Sequence, residues 1–359
     1  MFKLKVAILV DVLKNKGGIE RIVLLQSKMF NADIFTGSYF PKTTFKEFSK
    51  FKINEINNSK LPQRLWSFVN RIKFNNLDLD GYDLVILHGG ASLSVANKKL
   101  KTIWYCHAPT IWLYHTTKQD LASLGIIKRT IVKLCMPFLK FIDKKNVKNI
   151  KKIITNSKNV SERVKEIYGK SSEVIYPPVN LKKFKYISNS DFYLSPARLT
   201  PDKRVDTIIE SFKKMPNKKL IVSGGGPEFS KLKKLSKNFK NISLEGWVTD
   251  ERLGELYGKC TATIAASIYE DFGMIAIESM ASGKPIIAPG DKGFAESIID
   301  KKTGYLINPT VNEIIKHVKI LDIKKAKAMR EECELRSEEF SENKFIKKFK
   351  SIIKKYETN

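Results

Sequence analysis

Short β-branched runs recur along the chain, and each ends in a polar or glycine-bearing turn. Lys5-Val6-Ala7-Ile8-Leu9-Val10 ends at Asp11, and Asp83-Leu84-Val85-Ile86-Leu87 ends at His88-Gly89-Gly90. Thr102-Ile103-Trp104-Tyr105-Cys106 ends at His107, and Lys152-Ile153-Ile154 at Thr155-Asn156-Ser157. The pattern then restarts. Asp191-Phe192-Tyr193-Leu194 leads to Ser195 through Arg198, Lys219-Leu220-Ile221-Val222 to Gly224-Gly225-Gly226, Ala262-Thr263-Ile264-Ala265 runs on to Glu270, and Lys284-Pro285-Ile286-Ile287-Ala288 ends at Pro289-Gly290. Many of these runs precede apolar residues at helical spacing. That alternation predicts parallel sheets in an α/β fold. Ligands of open parallel sheets bind beyond the carboxyl ends of the strands. The exits that carry His88, His107, Arg198, the glycine run and Glu270 are therefore the expected ligand side.

A chain of 359 residues is long for one hydrophobic core, so two domains are expected. Tyr176-Pro177-Pro178-Val179-Asn180 marks the parting, because two prolines remove backbone donors and favour extended chain. The reading is a first domain at residues 1–180, a linker at about 178–190, and a second domain at 181–338. A last segment, 339–359, carries a helix from about Ser341 to Tyr356 with Phe345, Phe349, Ile352 and Ile353 at helical spacing. This helix is expected to pack back on the first domain.

The richest stretch is Glu270-Asp271-Phe272-Gly273-Met274-Ile275-Ala276-Ile277-Glu278-Ser279-Met280-Ala281-Ser282-Gly283-Lys284-Pro285. Gly273 permits a tight turn. Met274 to Ala281 propagates as helix, and Gly283 closes it as the residue after the cap. The helix start lies at a strand exit, where its N–H groups and dipole suit a diphosphate. Glu270 stands just before the helix and Glu278 inside it, where carboxylates accept sugar or ribose hydroxyls. Taken alone, Glu270 or Asp271 reads first as a helix cap.

The stretch closely resembles the Glu-x7-Glu motif of the retaining glycosyltransferases of family 4, which have the GT-B fold. Pro196-Ala197-Arg198-Leu199-Thr200-Pro201-Asp202-Lys203-Arg204-Val205-Asp206 resembles that family's Arg-and-Lys element. Val174 to Asn180, Gly224-Gly225-Gly226-Pro227-Glu228 and Glu245-Gly246-Trp247-Val248 follow its pattern in the same order, so the resemblance covers nearly the whole chain. It implies two doubly wound Rossmann-like domains facing across a cleft, the first binding the acceptor and the second the nucleotide sugar. It implies that Arg198 and Lys203 hold the donor diphosphate and act with Glu270 in catalysis. Glu278 is assigned to the ribose, and Gly225, Val248, Phe272, Gly273, Met274 and Ile275 to the donor site. Independently of any family, two fixed cations at a departing diphosphate stabilise the charge it gains more than they stabilise the bound donor.

In the first domain, Lys16-Gly17-Gly18-Ile19-Glu20-Arg21 opens a helix after a short loop. Its glycines allow close backbone approach to a phosphate or sugar, and resemblance to the family's first glycine-rich loop assigns Gly17 and Gly18 to donor contact. Trp104-Tyr105-Cys106-His107-Ala108-Pro109 resembles an element of a family-4 subgroup rich in mannosyltransferases of surface polysaccharide and lipid-linked glycan assembly. That resemblance places His107 near the donor sugar and reaction centre. It makes the expected reaction transfer of mannose from GDP-mannose to a glycan or lipid-linked acceptor, with retention of configuration. A UDP-sugar enzyme of the same fold, using glucose, galactose or GlcNAc, is the alternative. His88 has no motif behind it, and His115 and His317 are unassigned. Asp78-Leu79-Asp80 has the form of a metal-binding triplet, but it precedes its strand, opposite the ligand side, and reads as a solvated loop. No metal or other cofactor is expected.

Charge adds one question. The 65 Lys and Arg against 37 Asp and Glu give a formal charge of +28. This excess favours anionic partners or is simply a Lys-rich solvated surface. A non-catalytic nucleic-acid-binding protein is the rival reading, yet no RNA-binding motif or aromatic-basic platform accompanies the charge, so no nucleic-acid partner is expected. Ile126 to Lys145 is basic and amphipathic, with Ile127, Ile131, Leu134, Phe138 and Phe141 on one face and Arg129, Lys133, Lys140 and Lys144 roughly opposite. It reads equally as a helix covering the first sheet or as a contact with anionic lipid. Pro137 is expected to kink or interrupt it. The four cysteines have no metal or redox spacing, and no signal peptide or spanning segment is apparent, so a reduced, cytoplasmic chain, peripheral on the membrane at most, is expected.

Overall fold

The structure is a computed structural model that describes residues 4–57, 66–97, 100–114 and 125–357. The chain divides into two compact units, one ending at Tyr176 and the other beginning at Pro177. Each is a parallel sheet with helices, the architecture of the GT-B fold.

In the first unit the strands are β1 (Val6–Val10), β2 (Asp33–Thr36), β3 (Ile53–Glu55), β4 (Leu84–His88), β5 (Thr102–Cys106), β6 (Lys152–Thr155) and β7 (Glu173–Val174). They pair in the order β3-β2-β1-β4-β5-β6-β7. Every residue of β1, β4 and β5 is buried, as expected for central strands covered on both faces. The order reverses direction between β1 and β4, so the exits of these strands flank the crevice where such sheets bind ligands.

The second unit repeats the plan with β8 (Tyr193–Pro196), β9 (Leu220–Ser223), β10 (Ile242–Gly246), β11 (Ala262–Ile264), β12 (Ile286–Pro289) and β13 (Gly304–Ile307). Its order is β10-β9-β8-β11-β12-β13, with the reversal between β8 and β11. Arg198 follows β8 and Glu270 follows β11, so both leave the sheet at its switch point.

Three local outcomes bear on function. The predicted linker, residues 178–190, falls within the second unit. Phe184 packs edge-on against Tyr257 at 5.2 Å. The buried Lys284 ammonium donates to the Ser188 carbonyl and Asn189 Oδ1 and lies 4.3 Å from the Tyr186 ring. Burial draws its pKa down to about 8.

The basic stretch forms one helix, Ile126–Asn149, which Pro137 does not interrupt. Pro137 removes a single N–H, and the residue whose carbonyl loses that donor, Lys133, is exposed to water. Leu134, Phe138 and Phe141 on this helix are 74%, 63% and 65% exposed, so they do not cover the sheet. The side chains of Ile127 and Ile131 lie outside the described residues.

The last helix, Glu342–Glu357, buries Phe345, Phe349, Ile352 and Ile353. Among the described residues no helix is long and apolar enough to cross a membrane. None of the four cysteines is in a disulfide; Cys106, Cys260 and Cys333 are buried and Cys135 is exposed.

Candidate functional site

The second unit gathers the predicted anion-binding residues at its switch point. After β8 the chain is held by the neighbouring strand exit: Ala197 N–H donates to Ser223 O at 3.0 Å and Leu199 N–H to Gly225 O at 3.0 Å. Gly224 permits this closeness. Its φ is +129°, and a Cβ there would stand 2.0 Å from the Ala197 carbonyl oxygen. The glycine run therefore positions Arg198 by letting two backbones touch. Arg198 itself is exposed, with no salt-bridge partner among the described residues.

Lys203 lies on a short 3-10 turn, Pro201–Lys203, and reaches back to the exit of β11. Its Nζ donates to Glu270 Oε2 at 2.8 Å. Ser267 Oγ donates to the same oxygen at 3.0 Å. Burial works against the Lys203 ammonium, but Glu270, Asp202 and Asp271 outweigh it and hold its pKa above the usual lysine value. Lys203 thus stays charged, matched by a carboxylate at the mouth of the next helix.

That helix is Met274–Ala281, and Gly273 caps it in the left-handed region with φ +81°. Gly283 closes it with φ +65°, as the sequence predicts. Phe272 is buried, its ring 5.7 Å from that of Phe340, so only its backbone is presented to the mouth. Met274, Ile275 and Val248 are half-buried. The would-be Cβ of Gly225 stands 2.3 Å from Nε1 of the exposed Trp247 indole, so the indole covers this glycine.

Glu278 is 7% exposed and accepts a 2.8 Å bond from the buried Tyr257 hydroxyl. The family resemblance implies a ribose contact for Glu278, and on that reading Glu278→Ala is expected to raise the donor Kd by tenfold or more, about 1.4 kcal/mol for one charge-assisted bond. Calorimetry on a donor nucleotide checks this, and an unchanged Kd removes the assignment. Glu278→Gln, which can still accept from Tyr257, separates lost recognition from lost packing.

In the first unit, His107 follows β5 and His88 ends β4. The two rings meet, with His88 Nδ1 and His107 Nε2 2.9 Å apart. His88 Nε2 is 2.7 Å from Gln26 Oε1, on the helix Gly18–Phe30. Burial pulls the pKa of His107 down to about 3 and holds His88 well below its ordinary value, with His107 adding to the effect on His88. Both rings are therefore neutral near pH 7.

Gly17 and Gly18 lie where the sequence puts them, at the start of that helix. The loop is shaped by the buried Glu20, whose Oε1 accepts from Asn15 N–H at 3.0 Å. Asp11, at the exit of β1, accepts from the N–H groups of Gly90, Ala91 and Ser92 at 2.9–3.1 Å. It thereby ties the exits of β1 and β4 together.

Sequence reading left Gln26, Glu20, Asp11 and Ser267 without a role and gave His88 only its strand-exit position. The available signals were a polar residue inside an apolar helical face and an acid at a strand end. His317 lies at a tilt against the Tyr305 ring, 5.2 Å between centroids, and its Nδ1 bonds to Glu313 O on its own helix, Val311–Ile320. Position 115 lies outside the described residues. Asp78 accepts from Asp80 N–H in a local turn before β4. Among the described residues, no group of three or more His, Cys, Asp or Glu is placed to hold a metal ion.

Known proteins match both units. The family model for group 1 glycosyl transferases matches residues 179–339, and that for glycosyltransferase family 4 matches residues 17–183. The uncharacterized glycosyltransferase MJ1178 of Methanocaldococcus jannaschii is 31% identical over 196 residues, 54% of this chain and 55% of that one. The chain thus spans about half the length of that relative. Alpha-monoglucosyldiacylglycerol synthase of Acholeplasma laidlawii is 27% identical over 289 residues, 71% of this chain and 70% of the other. Alpha-1,3/1,6-mannosyltransferase ALG2 of Dictyostelium discoideum is 25% identical over 330 residues, 77% of this chain and 73% of the other. Among solved structures, Anabaena HepE in complex with UDP-glucose superposes with a TM-score of 0.76 at 15% identity, covering 98% of this chain and 100% of that one. Sucrose-phosphate synthase of Thermosynechococcus elongatus gives 0.80 at 16% identity, covering 98% and 99%. At such identities these structures establish the fold alone.

Proposed function

We propose, for a chain that belongs to the group 1 glycosyltransferases of family 4, that it transfers a hexosyl unit from a nucleoside-diphosphate sugar to a glycan or lipid-linked acceptor with retention of configuration. The observation that carries this reading is the arrangement at the second unit's switch point. There Lys203 bonds Glu270 just before the helix Met274–Ala281, and Arg198 follows the neighbouring strand β8.

A diphosphate arriving there meets an exposed guanidinium, a charged ammonium and the helix dipole. It competes with Glu270 for Lys203. Lys203 then moves to the phosphates, and the Glu270 oxygen it leaves, still bonded to Ser267, accepts a sugar hydroxyl. As the glycosidic bond breaks, the two cations take up the charge that develops on the leaving group. In this account no divalent metal takes part, and neutral His107 keeps the role that the family resemblance implies for it.

GDP-mannose is the donor first proposed, on the Tyr105-Cys106-His107-Ala108-Pro109 element and the likeness to ALG2. UDP-glucose is the second reading, favoured by the likeness to alpha-monoglucosyldiacylglycerol synthase. A panel of nucleotide sugars scored for released nucleoside diphosphate tests the proposal. Release from a hexose donor is expected, and no release from any donor overturns it.

The acceptor is proposed to lie at an anionic membrane surface. The support is the exposed stripe of Leu134, Phe138 and Phe141 on a helix that also carries Lys133, Lys140 and Lys144. A basic residue near such a surface contributes about 1 kcal/mol. The Lys133→Glu, Lys140→Glu, Lys144→Glu triple variant is therefore expected to weaken binding to phosphatidylglycerol vesicles by well over tenfold. Equal sedimentation of variant and wild type with those vesicles contradicts it.

A further inference from the structure

Two neutral imidazoles in contact cannot choose their tautomers independently. A neutral ring has one N–H and one bare nitrogen. The contact between His88 Nδ1 and His107 Nε2, at 2.9 Å, needs one of each. His88 Nε2 in turn meets the Gln26 carboxamide at 2.7 Å. Gln26 and His88 are fully buried, so water does not intervene to relax the rule. The orientation of one amide therefore decides which nitrogen of His107 carries the proton.

A carboxamide fits this slot either way round. With the carbonyl toward His88, His88 is protonated on Nε2 and bare on Nδ1. His107 must then donate from Nε2, and its Nδ1 is left bare. In that arrangement the Gln26 amide nitrogen is buried with no hydrogen-bond partner. With the amide turned over, Gln26 Nε2 donates to His88 Nε2, His88 Nδ1 donates to His107 Nε2, and His107 Nδ1 carries the outermost N–H. The groups left without a partner are then the carbonyl oxygen and one N–H, in place of two N–H groups. An orphaned buried N–H is the rarer and costlier defect, so exchanging one of the two for a carbonyl oxygen favours the turned-over amide.

We infer that Gln26 and His88 are positioning residues, a buried relay that fixes neutral His107 as the Nδ1–H tautomer and so makes its Nδ1 a hydrogen-bond donor rather than an acceptor. The inference rests on the proposed transfer reaction for what that N–H meets, but not for the tautomer. A neutral N–H suits a group that gains charge, because its bond strengthens as the negative charge grows. A bare Nδ1 would repel such a group.

The test is a long-range ¹H–¹⁵N spectrum of the purified chain near pH 7, in which bare and protonated ring nitrogens differ widely in ¹⁵N shift. The chain has four histidines, and His107→Asn identifies the signal. A protonated Nδ1 and bare Nε2 on His107 are expected in the wild type. A bare Nδ1 with protonated Nε2 overturns the inference whatever the activity.

Gln26→Met removes the anchor while keeping the volume. Intermediate, averaged shifts on both His107 nitrogens are expected, with kcat lower in proportion to the remaining Nδ1–H fraction, about twofold for an even mixture, and KM little changed. Unaltered His107 shifts in folded Gln26→Met also overturn it. If the shifts behave as expected but no nucleotide sugar is turned over, the relay stands and the transfer reading falls.

Discussion

Lys203→Ala is expected to lower kcat by roughly two to three orders of magnitude, the loss typical of one preorganised transition-state donor, while wild-type turnover survives excess EDTA. The reasoning starts from charge. A departing nucleoside diphosphate must be neutralised, and metal-dependent transferases use a cation held by carboxylates at the diphosphate. In the second unit the groups at the strand exits are instead Arg198, Lys203 and the helix start after Gly273. The Asp78–Asp80 triplet serves a local turn before β4.

Removing Lys203 also leaves the half-buried Glu270 without its 2.8 Å partner. A partly exposed pair is worth about 1 kcal/mol or less, so the fold should persist, and a thermal melt confirms that the loss is chemical. Arg198→Ala should behave similarly with no such side effect. Full turnover by Lys203→Ala contradicts the account. So does abolition of transfer by EDTA with rescue by Mg²⁺ or Mn²⁺.

Gly273→Ala is expected to destabilise the second unit by about 2–5 kcal/mol and to abolish measurable donor binding. Two costs add. A side chain at φ +81° costs about 1–2 kcal/mol. The new Cβ would also stand 2.4 Å from the Phe294 ring, and overpacking of this kind costs about 1–3 kcal/mol. Phe294 is fully buried among Ala265, Ala276, Ile286, Ala288 and Ile298, so it has nowhere to retreat. Relief must come from the backbone, which moves the start of the helix that receives the diphosphate. Thermal melting and calorimetry with a nucleoside diphosphate check both parts. Phe294→Leu on top of Gly273→Ala should recover part of the loss. A wild-type melt and Kd in the single variant contradict the steric argument.

Both effects concern residues whose placement the sequence made legible, because each depends on near neighbours in the chain. The helix Met274–Ala281 and its two glycine ends are set by local φ preferences and helical propensity. The strand exits follow from runs such as Val6–Val10 that are buried on both faces. The linker reading took Pro177-Pro178 as punctuation, but Phe184 and the Lys284 ammonium hold the following residues in the second unit, and those contacts come from far along the chain. Pro137 carried a local cost that an exposed helix tolerates. Of the unread strands, β2, β3 and β7 are two to four residues long, and polar residues or glycine break the runs of β10 and β13. Gln26 and Asp11 were passed over for the same reason as Ser267. Each acts through a partner on another element, and a single sequence does not pair them.

The most direct test of the central claim is a ¹H NMR time course on the metal-free chain with an α-configured hexose nucleotide. The anomeric signal of the first product is the readout, whether the hexosyl group passes to an acceptor or slowly to water. The account predicts an α product that appears in step with free nucleoside diphosphate. A β product, or an unchanged donor with GDP-mannose, UDP-glucose and the other hexose nucleotides alike, contradicts it.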